Sequence, residues 1–371
     1  MNNPVSLRAR DGDPWQPLSG RLTPAPAAGV SPPAPPPSPC PTIPAPAVDA
    51  PLARCFVPAA PPRVEPTARR DARDVETQAR LDSFREAMTG TYRTSDGKEL
   101  RVSAPFQMTT PYDNQIDFMK EKHPDHEAQQ RAAERRSQLT PEACNRVRSG
   151  RGTPEEIHAL TQALLDGQPP GAITTPSGLR ELMFEYRVGV DCAGYVQQAY
   201  LRATGQTRAQ AGFRAFVNED LSNLAHRGFQ RVSSVSDVRP GDIVALESHD
   251  GGVGHRTIVY DQRVLGATGM RALLASGERA QVGFALGGPV RVLEVDSSWG
   301  CGYLVHVPAR SGRPATDKLY GDPEQGGVQR ETWLYNESTQ QWASWDPRSG
   351  AFSTSDTPYN HRLDGFFRKA E

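Results

Sequence analysis

Cysteine is scarce in this chain of 371 residues. The five cysteines are Cys40, Cys55, Cys144, Cys192 and Cys301, and they stand far apart. An odd number at such spacings is not a disulfide framework, and without a CxxC pair there is no zinc-binding motif. We therefore expect reduced thiols.

An excess of one charge and a long apolar run are also absent. The chain has 42 Lys and Arg against 43 Asp and Glu, which argues against a dedicated nucleic-acid binder. No stretch approaches the roughly 20 apolar residues of a membrane span. The first residues lack the apolar segment of a secretory signal peptide, so a protein delivered outside the cell is expected to use a non-Sec route.

Proline, by contrast, is abundant at one end of the chain. Nineteen of the 34 prolines precede residue 71. Residues 1–75 are predicted to form a disordered Pro/Ala-rich leader, because they hold too few large apolar side chains to offset the entropy of ordering. Such a leader acts as a spacer, or as a recognition segment for a secretion machine or a phage particle.

Helix signals follow the leader. Thr140-Pro141-Glu142 and Thr153-Pro154-Glu155 each combine a capping hydroxyl, a proline and an acid, which is typical of a helix start. We therefore predict a mostly helical subdomain over residues 76–178.

Strand signals dominate the remainder, residues 179–371. Short β-rich runs at 241–248, 255–264 and 290–298 are the most distinct. Helices followed by a run of strands favour an α+β fold, in which a helix packs on an antiparallel sheet.

One cysteine has a setting suited to chemistry. Cys192 lies in Asp191-Cys192-Ala193-Gly194-Tyr195 and is predicted to open a helix. Unpaired amides and the helix dipole favour an anion at such a position, so the pKa of the thiol is expected to fall. Ala193 and Gly194 are small enough for a substrate backbone to approach.

A histidine follows at the start of a predicted strand. The turn Arg239-Pro240-Gly241-Asp242 leads into one strand, and His255 opens the next after a glycine-rich approach. A histidine there is able to point at a neighbouring helix N-terminus and to act as general base for Cys192.

A third polar group is needed to fix the tautomer of the imidazole. In the run VRVLEVDSS, alternation puts Glu294 and Asp296 on the face opposite Leu293 and Val295. Because the two apolar residues need a core, the carboxylate face is expected to open onto the site. Asp296 is our preferred residue, and Glu294 and the C-terminal His361 are the alternatives.

Taken together, these motifs resemble a known family. The order DC-small-G-aromatic-VQ, then PGD-apolar-V, then a glycine-flanked His opening a strand, is similar to the NlpC-type papain-like cell-wall cysteine peptidases and the related cysteine, histidine-dependent amidohydrolases. The resemblance covers about residues 180–300. It implies a papain-like fold, with the cysteine on a central helix against the sheet, and hydrolysis of amide bonds in peptidoglycan stem peptides.

Carried over by position, the resemblance makes Cys192 the nucleophile and His255 the base. Asp296 is chosen from the strand pattern alone, since the family more often has His or another polar group as the orienting residue. No metal or cofactor is expected. It also matches Tyr186 to an upstream tyrosine at the family's oxyanion site. The sequence departs from the family at Ala193, where a serine is usual, and in HRTIVY, where the family reads HVGIY.

Two other functions fit the same residues. A papain-like secreted effector acting on host proteins would use the same dyad for proteolysis, deamidation or acyl transfer. A binding or scaffold module with a degenerate site would use the leader together with Trp333, Trp342 and Trp345. Ser-His-Asp catalysis is not favoured, because no GxSxG motif occurs.

Overall fold

The computed structural model describes eleven stretches of the chain. They are residues 71–107, 125–213, 221, 224–247, 254–275, 279–299, 302–307, 316–321, 327–345, 352–355 and 362–370. The predicted leader lies outside them apart from residues 71–75, and so do Cys301 and His361.

Helices prevail in the described chain up to residue 213. Their bounds are α1 Ala72–Ala87, α2 His126–Ser137, α3 Pro141–Arg148, α4 Pro154–Leu165, α5 Pro176–Glu185, α6 Cys192–Thr204 and the single-turn α7 Arg208–Ala211. The predicted helix starts at Thr140 and Thr153 are confirmed, since each hydroxyl accepts a first-turn backbone N–H. None of the described helices is long and apolar enough to cross a membrane.

Two short paired strands lie between α1 and α2 in the chain. All the other described strands follow residue 228. The strand bounds are β1 Thr89–Arg93, β2 Glu99–Ser103, β3 Phe229–Arg231, β4 Ile243–Glu247, β5 His255–Val264, β6 Val290–Trp299, β7 Gly302–Val307, β8 Thr316–Gly321, β9 Gly327–Asn336, β10 Gln341–Trp345, β11 Phe352–Ser355 and β12 Arg362–Lys369. Helices α8 (Ala267–Ala275) and α9 (Arg279–Leu286) connect β5 to β6.

Eight strands form one curled antiparallel sheet in the order β11-β10-β9-β6-β5-β4-β12-β3. Strands β7 and β8 pair separately as a hairpin. The α+β class expected from the sequence is therefore confirmed.

The central strands bury both of their faces. On the face that α1 and α6 cover, here called the inner face, Ile243 and Ile258 belong to one apolar cluster with residues of those helices. On the opposite or outer face, Val244 and Leu246 cluster with Trp333. Successive residues of a strand point to opposite faces. A shift of one residue along β5 therefore moves a side chain from the inner-face cluster to the outer-face cluster.

The inner-face cluster draws on the chain before and after residue 178. It includes Leu81 and Leu160 from the earlier helices, together with Tyr195 and Ile258 from α6 and β5. Full burial of one such aliphatic side chain contributes about 1.5–3 kcal/mol. The helices at 76–178 therefore share a core with the sheet.

A buried ionic network fastens α1 to the sheet. Arg330 on β9 donates to both carboxylate oxygens of Asp296 on β6, at 2.7 and 2.9 Å, and to Asp82 on α1 at 3.0 Å. Its guanidinium lies 3.2 Å from the ring centroid of Tyr260, whose hydroxyl donates to Asp82 at 2.8 Å. Asp296 has no exposed surface, so Arg330 provides the charge that compensates it.

Replacing this arginine should destabilise the fold strongly. In Arg330→Met the buried Asp296 loses its cation, and we expect the free energy of unfolding in urea to fall by about 3–5 kcal/mol. Arg93→Met is the matched control, because Arg93 and its partner Glu99 are both largely exposed, and a change within about 0.5 kcal/mol is expected there. Equal effects of the two substitutions would contradict the network's role.

Candidate active site

Helix α6 begins at a buried carboxylate. Asp191 is its N-cap, and Oδ1 accepts hydrogen bonds from the Gly194 N–H and from Arg151 Nη1, both at 2.6 Å. The Asp191 N–H in turn donates to the carbonyl oxygen of Gly150 at 3.0 Å. Asp191 therefore sets where α6 starts, and with it the position of Cys192.

Close packing requires glycine at the first turn of α6. A Cβ at Gly194 would lie 2.1 Å from the carbonyl oxygen of Gly150. Gly150 itself has a φ of +73°, and a Cβ there would meet the carbonyl oxygen of Gln107 at 2.3 Å. The small size of Gly194 thus serves the packing of this loop on the helix.

The side chain of Cys192 lies against the beginning of β5. The backbone N–H of Arg256, the second residue of that strand, faces the sulfur and favours its anionic form. The residue is partly exposed, whereas Cys144 is buried. The two segments that the sequence analysis joined in one site therefore do meet in space.

The thiol of Cys192 is not activated in this arrangement. Although part of the residue reaches solvent, protein surrounds the sulfur, and burial raises the pKa of Cys192 to about 11, with a further rise from the Asp191 carboxylate. The Arg256 N–H and the charges of Arg151 and Arg256 oppose that rise but do not cancel it.

The prediction that the pKa of Cys192 falls is therefore wrong. A helix terminus contributes typically 0.3–1 kcal/mol, which is less than about one pKa unit. Burial shifts a pKa by up to about 3–5 units, so at Cys192 desolvation outweighs the dipole of α6.

His255 lies on the outer face of the sheet. It pairs with Leu246 of β4, and directly opposed residues of neighbouring strands share a face. Its imidazole has no exposed surface and packs edge-on against Trp299, with ring centroids 3.9 Å apart. The next residue, Arg256, is on the inner side with α6. The structure thus brings the backbone beside His255 to Cys192, but not the imidazole.

Asp296 lies on the inner face. The predicted alternation is confirmed, since Leu293 and Val295 belong to the outer-face cluster. Burial raises the pKa of Asp296, and the hydrogen bonds from Arg330 oppose the rise. Because His255 is on the other face, the predicted contact between Asp296 and His255 is not present, and the carboxylate serves the ionic network instead.

The remaining residues named from the sequence have other partners. Glu294 accepts a hydrogen bond from Arg263 at 2.7 Å. Tyr186 stacks on His126 of α2, with ring centroids 4.4 Å apart. His361 lies outside the described residues.

Two arginines near Cys192 were not found by sequence reasoning. Arg151 holds the cap of α6, and Arg256 donates to Glu247 and to the carbonyl oxygen of Leu246, both at 2.9 Å. The only available signal for Arg256 was its place directly after the predicted histidine. No local pattern pointed to Arg151, because a distant loop supplies it.

The outer face is polar around His255. The hydroxyls of Thr257 and Ser297 are fully buried and have no hydrogen-bond partner among the described residues. Glu331 on β9 accepts a hydrogen bond from Trp333 Nε1 at 3.2 Å, and burial raises the pKa of Glu331 to about 7. Polar groups therefore share the imidazole's face, although most of that face is apolar.

No family model, curated protein or solved structure matches this chain. Within the described stretches, no group of three His, Cys, Asp or Glu side chains is arranged to hold a metal ion. The geometry defines an α+β protein in which a capped, helix-opening cysteine lies beside the central strands of the sheet.

The raised pKa of Cys192 makes its alkylation depend steeply on pH. Only the thiolate reacts, so the rate with iodoacetamide should rise about tenfold per pH unit and show no plateau up to about pH 9. The rate is measured on the Cys192 peptide by mass spectrometry, with N-acetylcysteine as the reference, which levels off near its ordinary pKa. A plateau for Cys192 anywhere below about pH 9 would contradict the raised pKa.

Proposed function

We propose that this chain is a cysteine hydrolase of amide bonds, with Cys192 as nucleophile and His255 as base. The observation that supports it best is that the start of α6 packs against the start of β5, where the Arg256 N–H faces the Cys192 sulfur. This contact joins the helix-opening cysteine to the strand that His255 opens, which is the junction a papain-like site requires.

The start of α6 has donors for an oxyanion. The N–H groups of Cys192 and Ala193 belong to the first turn and have no acceptor within the helix. The Gly194 N–H is used by the Asp191 cap. Two backbone amides next to the nucleophile are therefore suited to stabilise negative charge on the substrate's carbonyl oxygen.

The reaction follows from these parts. The Cys192 thiol gives its proton to His255 while the sulfur bonds to the carbonyl carbon. The tetrahedral intermediate then breaks its C–N bond as His255 protonates the leaving amine, and water activated by His255 cleaves the thioester to release the acid. Since burial raises the pKa of Cys192 to about 11, proton transfer accompanies the attack and does not precede it.

This chemistry requires the imidazole on the inner side of β5. His255 is the first residue of β5, so the hydrogen-bonded ladder of the sheet continues only on its C-terminal side. The proposal therefore includes a backbone rotation at His255 that carries its ring from Trp299 to the sulfur. The packed arrangement against Trp299 is then a resting one.

The substrate class rests on the motif resemblance. The DC-small-G-aromatic-VQ, PGD and glycine-flanked His motifs resemble enzymes that cut peptidoglycan stem peptides. We propose the same class of substrate here.

A second candidate function is a binding module with a degenerate site. Two observations favour it: burial raises the pKa of Cys192 to about 11, and the His255 ring packs against Trp299 on the other face of the sheet. In that case neither side chain contributes to chemistry.

Activity on purified peptidoglycan separates the two functions. The wild-type protein should release stem-peptide fragments that mass spectrometry identifies, and Cys192→Ala and His255→Ala should each lower the rate by at least about a thousandfold, because each removes one member of a concerted pair.

Cys144→Ala is the matched control, since it removes a buried thiol away from α6 and should keep full activity. Thermal unfolding of Cys192→Ala should stay near wild type. Undiminished release by Cys192→Ala would end the hydrolase proposal, and folded wild-type protein without release would favour the binding module.

A further inference from the structure

A cavity of about 290 Å³ lies at the end of α6 opposite to Cys192. Its walls come from the first turns of α1, the last turns of α6, the turn before β4 and the end of β12. Helix α6 has 13 residues, and at 1.5 Å per residue its two ends are about 18 Å apart. The cavity is therefore separate from the candidate active site.

The cavity lining carries a surplus of positive charge. Four arginines and three acidic residues line it, which leaves one more positive than negative charge. Lys369 also lines it but donates its ammonium to the carbonyl oxygens of Ala211 and Arg227. Glu76 is paired with Arg80 of the next turn of α1. Asp242 is buried and bound by Arg368 through two hydrogen bonds of 2.7 Å. Two of the three carboxylates are thus already compensated within the wall.

Arg239 is an exposed cation of the cavity lining. Its positive charge acts on both Asp74 and Asp242. Burial raises the pKa of Asp74, and Arg239 is the strongest charge that opposes the rise. Its guanidinium is therefore close to the cavity wall, and it forms no ion pair with any of the described residues.

The chemistry of arginine also favours an anion here. Planar guanidinium groups bind phosphate oxygens in pairs, which lysine does not do. The volume is at the lower end of the range for small-molecule sites, so the ligand has to be small.

We propose that this cavity binds a phosphate dianion, either free or at the end of a small monoester, with Arg239 as its main contact. Arg368 adds its charge, while its Nε and Nη2 stay bound to Asp242 and to the Asp237 carbonyl oxygen. The site is independent of the hydrolase proposal. A phosphate site would also explain the turn Pro240-Gly241-Asp242. Asp242 orients Arg368 there, and Gly241, with a φ of +92°, brings the turn against Thr77.

Calorimetric titration of the full chain tests the site. Inorganic phosphate is added near pH 7.5 with the ionic strength held constant by sodium chloride, and glycerol phosphate in a second arm distinguishes the free ion from an ester. We expect saturable binding by the wild type and a dissociation constant raised at least about tenfold in Arg239→Ala.

Arg202→Ala is the matched control, because it removes the same charge from an exposed position on α6 that does not line the cavity. It should bind phosphate as the wild type does. Absence of saturable binding of either probe by the wild type, unchanged affinity in Arg239→Ala, or an equal loss in Arg202→Ala would each overturn the proposal.

Discussion

The buried carboxylate of Asp191 is the constraint on which the candidate site depends. It accepts the Gly194 N–H and the Arg151 guanidinium, so it decides where α6 begins. The same negative charge adjoins Cys192 and adds to the rise in its pKa. One side chain therefore holds the cysteine in position and adds to the burial that keeps its thiol protonated. In such a site the thiol loses its proton only when a base and the substrate are both in place.

Much of the fold follows from local signals. The Thr-Pro-acid sequences predicted two helix starts, and the alternation of Leu293 and Val295 with Glu294 predicted the two faces of β6 correctly. Strand β12 was not predicted, because its partners β4 and β3 lie more than a hundred residues earlier and no local pattern encodes that pairing. Long-range pairing of this kind is decided by the tertiary core.

The face of His255 is the part of the site that the sequence does not encode. In HRTIVY the residues Ile258 and Val259 are both apolar and both buried, one on each face of the sheet. A strand buried on both faces has no alternation, so its pattern leaves the orientation of its first residue open. The sequence also does not show that burial outweighs the helix dipole in setting the pKa of Cys192, since desolvation depends on the atoms that the fold brings around the sulfur.

In the candidate site the two motif segments touch, while the His255 ring packs on the other face of the sheet. The proposed hydrolase mechanism requires Cys192 to form a covalent bond to its substrate. The most direct measurement is rapid acid quenching during peptidoglycan digestion, followed by tandem mass spectrometry of the Cys192 peptide. The hydrolase proposal requires a stem-peptide acyl group on Cys192 that disappears as product accumulates. Product release without any adduct on Cys192 would contradict it.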